Sequence, residues 1–427
     1  MARDYPPLRQ SAKVPAAAAQ VFYKCNLSTG RLAGHEPTID HAAAPLSARC
    51  RRGRPTVALL ARELAATGTP VRVLSWRPRY QGLSEPAPAR ETRDEVEIHR
   101  CWAPAAGKSL LARFFSAWWL MKTGFLRALF SRGTLLIPSS PPTLGLVGWW
   151  LSWLGRRYIY VLHDIHPDLG LALGRLKPGL IAGLLRFVQR RNLARATVVT
   201  ITQGMAQRAR QIQPKADVQV IENWVDVSAI SPRPKAASNF AQAQGLVSTF
   251  TVQYSGNLGL LHPLDGLVAA MGELPDCKLV FIGRGARLPA TRQAAQGLAN
   301  VSFHDYQPLE ALADSLSACD VSAIALEPGA DTLAMPSKLV GVLAAGRPVL
   351  ALCPENTELG QLVSQTGCGV VVPDFNNPKA VAAAIAKLKS DPQGLAVMAR
   401  KARELAVSRF ALAQATASYH ALVQQKR

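Results

Sequence analysis

Twice along its 427 residues the chain alternates short apolar runs with Ala- and Leu-rich helical stretches, and a proline-rich passage, Ser231-Pro232-Arg233-Pro234-Lys235, separates the two series. Before it, a helix is read over Thr56–Ala66 and strands at Val71–Ser75, Leu135–Ile137, Tyr158–Leu162 and Thr197–Ile201. After it, strands are read at Phe250–Tyr254, Lys278–Ile282, Val301–His304, Val321–Leu326, Val349–Leu352 and Gly369–Val372, with helices between them. A strand that returns parallel to its predecessor needs a long crossover, usually a helix, so this rhythm predicts parallel sheets covered on both faces. The length exceeds one ordinary core. The expected fold is therefore α/β, with two doubly wound parallel-sheet domains facing a cleft. The expected boundaries are 53–230 for the first domain, 231–405 for the second, and 406–427 for a helix packing back across the hinge. Residues 1–52 read as an atypical segment with no convincing strand and a charged run, Arg49-Cys50-Arg51-Arg52. A shifted reading frame or start, or a divergent extension, would account for it.

Charge is distributed unevenly. The chain has 49 Lys and Arg against 28 Asp and Glu, a formal net charge of +21. Seventeen of the cations lie from Arg100 to Lys215 with only two acids, Asp164 and Asp168, so this stretch supplies +15 of the total. Both acids belong to one hexapeptide, His163-Asp164-Ile165-His166-Pro167-Asp168, directly after the apolar run Tyr158–Leu162. Functional groups in α/β proteins gather at the C-terminal ends of strands, so His163, Asp164 and Asp168 are candidate site residues in a region suited to anions. The plainer alternative is a helix cap and a local turn. The region shows no helix-turn-helix, zinc-finger or RNA-recognition pattern, so no nucleic-acid partner is expected. The seven cysteines are scattered, with no C-x-x-C pair, and read as reduced and mostly buried, with neither a disulfide frame nor a metal site. The N-terminus lacks a signal-peptide core, which points to the cytoplasm.

Aromatic residues cluster in two places. From Leu110 to Phe130, Trp118, Trp119 and several Phe and Leu are punctuated by Arg113, Lys122 and Arg127, with Lys108 and Arg132 at its flanks. This is the pattern of a basic amphipathic helix lying in an anionic membrane interface; a core-packed helix is the alternative. The second cluster, Leu144–Leu154, holds Trp149, Trp150 and Trp153 within an uncharged stretch, residues 133–155. Ser139-Ser140-Pro141-Pro142 interrupts that stretch and leaves about a dozen apolar residues where roughly 20 would be needed to span a bilayer. It is read as a buried helix.

In the second series the turns after strands carry the binding chemistry. Ser255-Gly256-Asn257-Leu258-Gly259 follows a strand, and the helix beyond it would offer unpaired amides to a phosphate. Gly283-Arg284-Gly285 repeats the arrangement with a cation. In Met335-Pro336-Ser337-Lys338-Leu339, Pro336 suits a helix start and Ser337 and Lys338 fall in the first turn, with Gly346 ending the helix. A cation in a first turn opposes the helix dipole, and a bound anion would remove the conflict. Lys338 is thus a candidate anion ligand, a solvated surface lysine being the alternative.

In their order and spacing these motifs resemble the bacterial family 4 glycosyltransferases with the GT-B fold, two Rossmann-like domains, and in particular the branch that builds exopolysaccharide and colanic-acid type polymers. The resemblance runs from about residue 53 to 425. It rests on Gly53–Leu64, Ser139–Pro142, His163–Asp168, Val220–Asp226, Tyr254–Gly259, Tyr306-Gln307-Pro308 and Pro336–Val349. It implies a retaining, metal-independent transferase that needs no cofactor. The nucleotide-sugar donor would lie in the C-terminal domain and a polyprenyl-diphosphate-linked glycan acceptor in the N-terminal one, on the cytoplasmic face of the inner membrane. Carried over by position, Ser255, Gly256, Asn257, Gly259, Arg284, Ser337 and Lys338 would hold the donor. His163 and Asp164 would lie near the transferring sugar, and Asp168 on the acceptor side.

The chain departs from the pattern where many relatives carry two glutamates eight apart, for here Leu333 and Gly341 occupy those positions. Glu327 and Asp331 are the nearest replacements. Asn257 and Leu261 stand where the family has Arg and Lys, with His262 the nearest polar group. Two other functions stay open on these grounds: a degenerate, non-catalytic partner in polysaccharide assembly, and a nucleotide-sugar epimerase.

Overall fold

The structure, a computed structural model, describes residues 19–23, 55–76, 88–102, 110–131, 133–333 and 335–425. Two sheets organise them. The first has eight strands: β1 (Ala19–Tyr23), β2 (Val71–Trp76), β3 (Arg90–Arg93), β4 (Val96–Cys101), β5 (Thr134–Pro138), β6 (Tyr158–Leu162), β7 (Thr197–Thr200) and β8 (Asp217–Val220). Their order across the sheet is β3-β4-β2-β1-β5-β6-β7-β8, parallel throughout except for β3 against β4. The second sheet has six strands: β9 (Phe250–Ser255), β10 (Cys277–Ile282), β11 (Val301–His304), β12 (Val321–Ala325), β13 (Val349–Leu352) and β14 (Gly369–Val372). Their order is β11-β10-β9-β12-β13-β14, all parallel.

Both sheets are doubly wound, as the strand–helix rhythm requires. In such a sheet the chain leaves the first-formed strand in one direction and later continues in the other, opening a crevice where the loops part. Here the crevices lie between β1 and β5 and between β9 and β12. Central strands are apolar on both faces. In β6, Tyr158, Tyr160 and Leu162 enter one core beside Leu135 and Ile137, while Ile159 and Val161 enter the other with Leu64, Ile98 and Leu136. That two-sided burial makes the strand a continuous apolar run.

The first sheet corrects two expectations. Residues 1–52 do contain a strand: β1 lies mid-sheet, with Ala19 opposite Val71 on one side and Thr134 on the other. Only five residues long and interrupted by Gln20, it follows an alanine run whose bias is helical, and its neighbours supply the pairing that local propensity does not. The charged run Arg49–Arg52 lies outside the described residues. The second correction concerns helix Gly145–Ser152, which is buried on one face only. Val147 and Leu151 are inside, but Trp150 is 41% exposed, and beyond the helix Trp153 and Leu154 are 64% and 60% exposed.

After helix Pro392–Arg409 the chain returns to the first domain. Val225 donates to the Phe410 carbonyl and Leu412 to that of Val225, both at 2.9 Å. Helix Leu412–Gln424 then lies in the core beside helix Pro55–Ala66, with Tyr419 edge-on to Trp224 at 5.6 Å between centroids. Arg403 pins the crossing by donating to the carbonyls of Val227, Ile230 and Ala344 at 2.8–2.9 Å. No helix among the described residues is long and apolar enough to cross a membrane.

Candidate functional site

The turn after β9 emerges at the crevice of the second sheet and interlocks with the turn after β10. Gly256 donates to the Ile282 carbonyl at 2.8 Å, Leu258 to Arg284 at 3.0 Å, and Arg287 back to Leu258 at 3.0 Å. The fit needs glycine. Gly256 and Gly283 have φ of 133° and 142°, and a Cβ on Gly283 would strike the Gly256 carbonyl oxygen. The helix beyond, Asp265–Ala270, starts well after Gly259, and its first turn holds Asp265, which satisfies the dipole and binds Arg287 at 2.5 Å. The helix N-terminus expected to meet a phosphate is therefore not at this turn, where the Gly256 and Leu258 amides are taken by carbonyls and those of Asn257 and Gly259 are not.

Lys338 opens helix Lys338–Ala344 and reaches over this turn. Its Nζ lies 3.5 Å from the centroid of the Tyr254 ring and 3.5 Å from the Asn257 carbonyl, which also accepts from the Tyr254 hydroxyl at 2.9 Å. Among the described residues no carboxylate pairs with it, and desolvation pushes its pKa well below the ordinary lysine value. The aromatic face offsets part of that penalty. Ser337 precedes it, exposed, with its hydroxyl unused as a cap.

A bound diphosphate would favour the ammonium form. At a pH above the depressed free value, nucleoside diphosphate binding is therefore expected to take up on the order of one proton. Affinity then falls as pH rises through the same window. Calorimetry in buffers of different ionisation enthalpy should give a positive slope of binding enthalpy for the wild type and a flat line for Lys338→Met.

The structure separates the two arginines near this turn. Arg284 forms a bidentate pair with Asp305, 2.9 Å for each contact, on the exposed side. Arg287, which sequence spacing did not single out, is more enclosed, held by Asp265 and lying 3.9 Å from Glu327. His262 also faces this turn. Its Nδ1 lies 2.7 Å from the Ala325 carbonyl. That oxygen can only accept, so Nδ1 carries the hydrogen and Nε2 keeps a lone pair. Burial, with Lys338 and Arg287 nearby, lowers the His262 pKa to about 4, so the ring is neutral and offers an acceptor, not a charge. Tyr306 packs beside Gly283 and stays half exposed.

On the facing domain, His163 follows β6 and is buried. The backbone amides of His163 and Asp164 donate to Ser139 Oγ at 3.1 and 3.4 Å, so the buried hydroxyl after β5 shapes this loop. Asp168 is engaged locally, taking a 2.8 Å hydrogen bond from Arg208 Nε with Arg186 at 3.9 Å. The two halves meet through the segment before Lys338. Leu333 and Met335 pack on the first-domain core that holds Leu162 and Ile165, the residues bracketing His163 and Asp164. Glu358 of the second domain accepts from the Gln203 amide at 3.3 Å and from that of Gly204, capping helix Gln203–Ile212 of the first. Leu333 and Gly341 thus offer no polar group, and Gly341 lies within its helix. Apart from this cleft, a cavity of about 360 Å³ opens between Arg100–Trp102 and the side chains of Trp119, Thr123, Leu126 and Arg127.

Comparison with known proteins bears on the family and the fold. The family described as Glycosyl transferase 4-like domain matches residues 53–224, and Glycosyl transferases group 1 matches residues 245–391. WbjE of Pseudomonas aeruginosa, named as a glycosyltransferase, is 28% identical over 262 residues, 59% of this chain and 65% of that one. WcaI of Escherichia coli K12, named as a colanic acid biosynthesis glycosyl transferase, is 29% identical over 246 residues, 55% of this chain and 60% of that one. The match thus spans less than two thirds of either relative. In fold, the chain is similar to sucrose-phosphate synthase from Thermosynechococcus elongatus, with a TM-score of 0.72 at 18% identity, covering 95% of this chain and 98% of that one. It is also similar to HepE of Anabaena solved with UDP and glucose, with a TM-score of 0.66 at 16% identity, covering 96% and 100%. Matched in tandem by the two family descriptions over most of its length, the chain belongs to the family 4 glycosyltransferases of GT-B fold, on the branch that includes its colanic-acid relative.

Proposed function

We propose that this chain transfers a sugar from a nucleotide-diphosphate donor, with retention of configuration and without a metal, to a glycan carried on a polyprenyl diphosphate in cell-surface polysaccharide synthesis. One observation carries this: a desolvated lysine, unpaired with any described carboxylate, poised over a glycine turn at the crevice of the second sheet. Fixed donors in a low-dielectric site stabilise charge as it develops, here on the departing diphosphate. Lys338 and the amides of Asn257 and Gly259, which the interlocking bonds of the turn leave unused, supply that stabilisation, while Ser255 and Ser337 border the site. Arg284 and Arg287, each paired with a carboxylate (Asp305 and Asp265), contribute less. Tyr306 flanks the place where the nucleoside would lie.

In retaining transfer the acceptor oxygen bonds to the anomeric carbon on the face from which the diphosphate leaves, and its proton passes to the departing phosphate oxygen. No protein nucleophile is required. His163 hydrogen-bonds a sugar hydroxyl, Asp164 receives the acceptor, and Asp168 holds the loop through Arg208. The fold likeness to HepE, solved with UDP and glucose, supports a donor of the same class. The acid-poor first domain and helix Leu110–Leu129, with Lys122 over Trp118 and Trp119, support peripheral seating on the anionic cytoplasmic leaflet.

The test is to incubate the protein with a panel of nucleotide sugars and lipid-linked oligosaccharides. Free nucleoside diphosphate should appear only when donor and acceptor are both present. Isomerised donor without acceptor would instead establish an epimerase. One observation favours a non-catalytic partner: Leu333 packs into the facing core where many relatives place a carboxylate. The absence of any nucleotide binding in calorimetry would decide for that reading.

A further inference from the structure

Helix Leu180–Ala194 packs on the domain through Ala182, Val188 and Leu193, yet shows four large apolar side chains to the outside. Leu180 is 94% exposed, Ile181 66%, Leu184 62% and Phe187 53%, while its buried residues include Gln189 and Asn192. The outer face of a surface helix is ordinarily polar or charged. Its two ends differ as well: the exposed aliphatics occupy the first two turns, Arg186 closes the second, Arg190 and Arg191 lie in the last two, and the helix contains no acid. Arg191 lies over the Phe187 ring at 4.7 Å, and Arg195, just past the helix, over Trp153 at 4.3 Å. The surface continues through Trp150, which meets Phe125 of helix Leu110–Leu129 edge-on at 6.2 Å.

Exposed patches of this kind mark an interaction site. Protruding aliphatics backed by a belt of arginines fit an interface that is hydrocarbon inside and anionic outside. A second copy of the same face would bring like charges together. We propose that the first two turns of helix Leu180–Ala194 insert into the anionic lipid interface as a second anchor, separate from helix Leu110–Leu129, with the arginines at headgroup depth. The inference deepens the membrane seating proposed above and depends on it. Two anchors on one domain fix its tilt as well as its attachment, and so the direction in which the cleft faces the lipid-borne acceptor.

The full-length protein should float with phosphatidylcholine vesicles containing phosphatidylglycerol and float poorly with phosphatidylcholine alone. Leu180→Gln/Ile181→Gln/Leu184→Gln should lower partitioning about tenfold or more. Without any substitution, anionic vesicles should slow hydrogen exchange over residues 180–187. If wild type floats but that segment gains no protection and the triple variant floats equally well, the second anchor is overturned and the membrane seating stands. If wild type does not float on the anionic vesicles, both fall. If wild type is a dimer without lipid and the triple variant a monomer, a second copy covers this face and the anchor is overturned.

Discussion

Replacing Lys338 by methionine or alanine is expected to lower sugar transfer by about 10²–10³-fold, the loss typical of removing one fixed donor to developing charge. The loss should fall mainly on kcat, because the leaving diphosphate gains charge only as the glycosidic bond breaks, and an interaction realised there contributes little to ground-state binding. The fold should survive. Lys338 makes one long contact, 3.5 Å to the Asn257 carbonyl, and rests on the Tyr254 ring, so its removal leaves no buried carboxylate unpaired. Thermal melting should therefore be unchanged or slightly raised, since a desolvated amine with no carboxylate partner among the described residues is lost. Methionine keeps the stem over Gly256 and Tyr254 and isolates the charge from the packing. Turnover of Lys338→Met at the wild-type rate would remove Lys338 from the diphosphate site, and with it the observation on which the proposed function rests.

Much of the fold was legible because strands buried on both faces leave unbroken apolar runs, as in Tyr158–Leu162 and Val321–Ala325. Four strands lacked that signal: Glu97, His99 and Arg100 break β4, Asp217 and Gln219 break β8, and β1 and β3 are weaker still. In β1 the apolar run is too short to stand out beside its alanines, and β3, Arg-Glu-Thr-Arg, is a polar edge strand visible only through its turn, where Asp94 and Glu95 both take positive φ. At the site, Lys338 was legible because a cation in a first helical turn needs a reason. The ring beneath it comes from the end of β9, a contact that no local spacing records. Spacing also could not choose between Arg284 and Arg287, since the choice is made by Asp305 and Asp265, each distant in sequence. Likewise Ser139 reads as part of a proline turn until β5 and β6 bring its hydroxyl under the His163 and Asp164 amides. The exposed face of helix Leu180–Ala194 is not legible in the sequence because its apolar count is ordinary; the direction in which those residues point is not.

Gly283→Ala should have the other large effect, on donor affinity and stability together. A methyl at this position meets the Gly256 carbonyl oxygen far inside contact distance, and a φ of 142° is strained for any L side chain. The neighbouring atom is backbone, so it cannot turn aside as a flexible side chain would. Relief requires the turn after β9 to separate from the turn after β10, which breaks the Gly256–Ile282 and Leu258–Arg284 bonds that set the turn beneath Lys338. Backbone strain and overpacking of this kind cost about 1–3 kcal/mol each, and the displaced amides should weaken nucleoside diphosphate binding at least about tenfold, a loss of roughly 1.4 kcal/mol. Gly341→Ala is the matched control. Gly341 lies in helix Lys338–Ala344, and its Cβ would meet only Leu316 Cδ1 at an ordinary 3.5 Å. Alanine should stabilise that helix by about 0.5–1 kcal/mol and leave nucleotide affinity unchanged. Melting curves and calorimetry on the pair separate the two causes. Equal affinity in Gly283→Ala and wild type would mean that the interlocked turns do not hold the diphosphate. Weakened binding in Gly341→Ala would place the ligand against that helix, at the position where many relatives carry a glutamate.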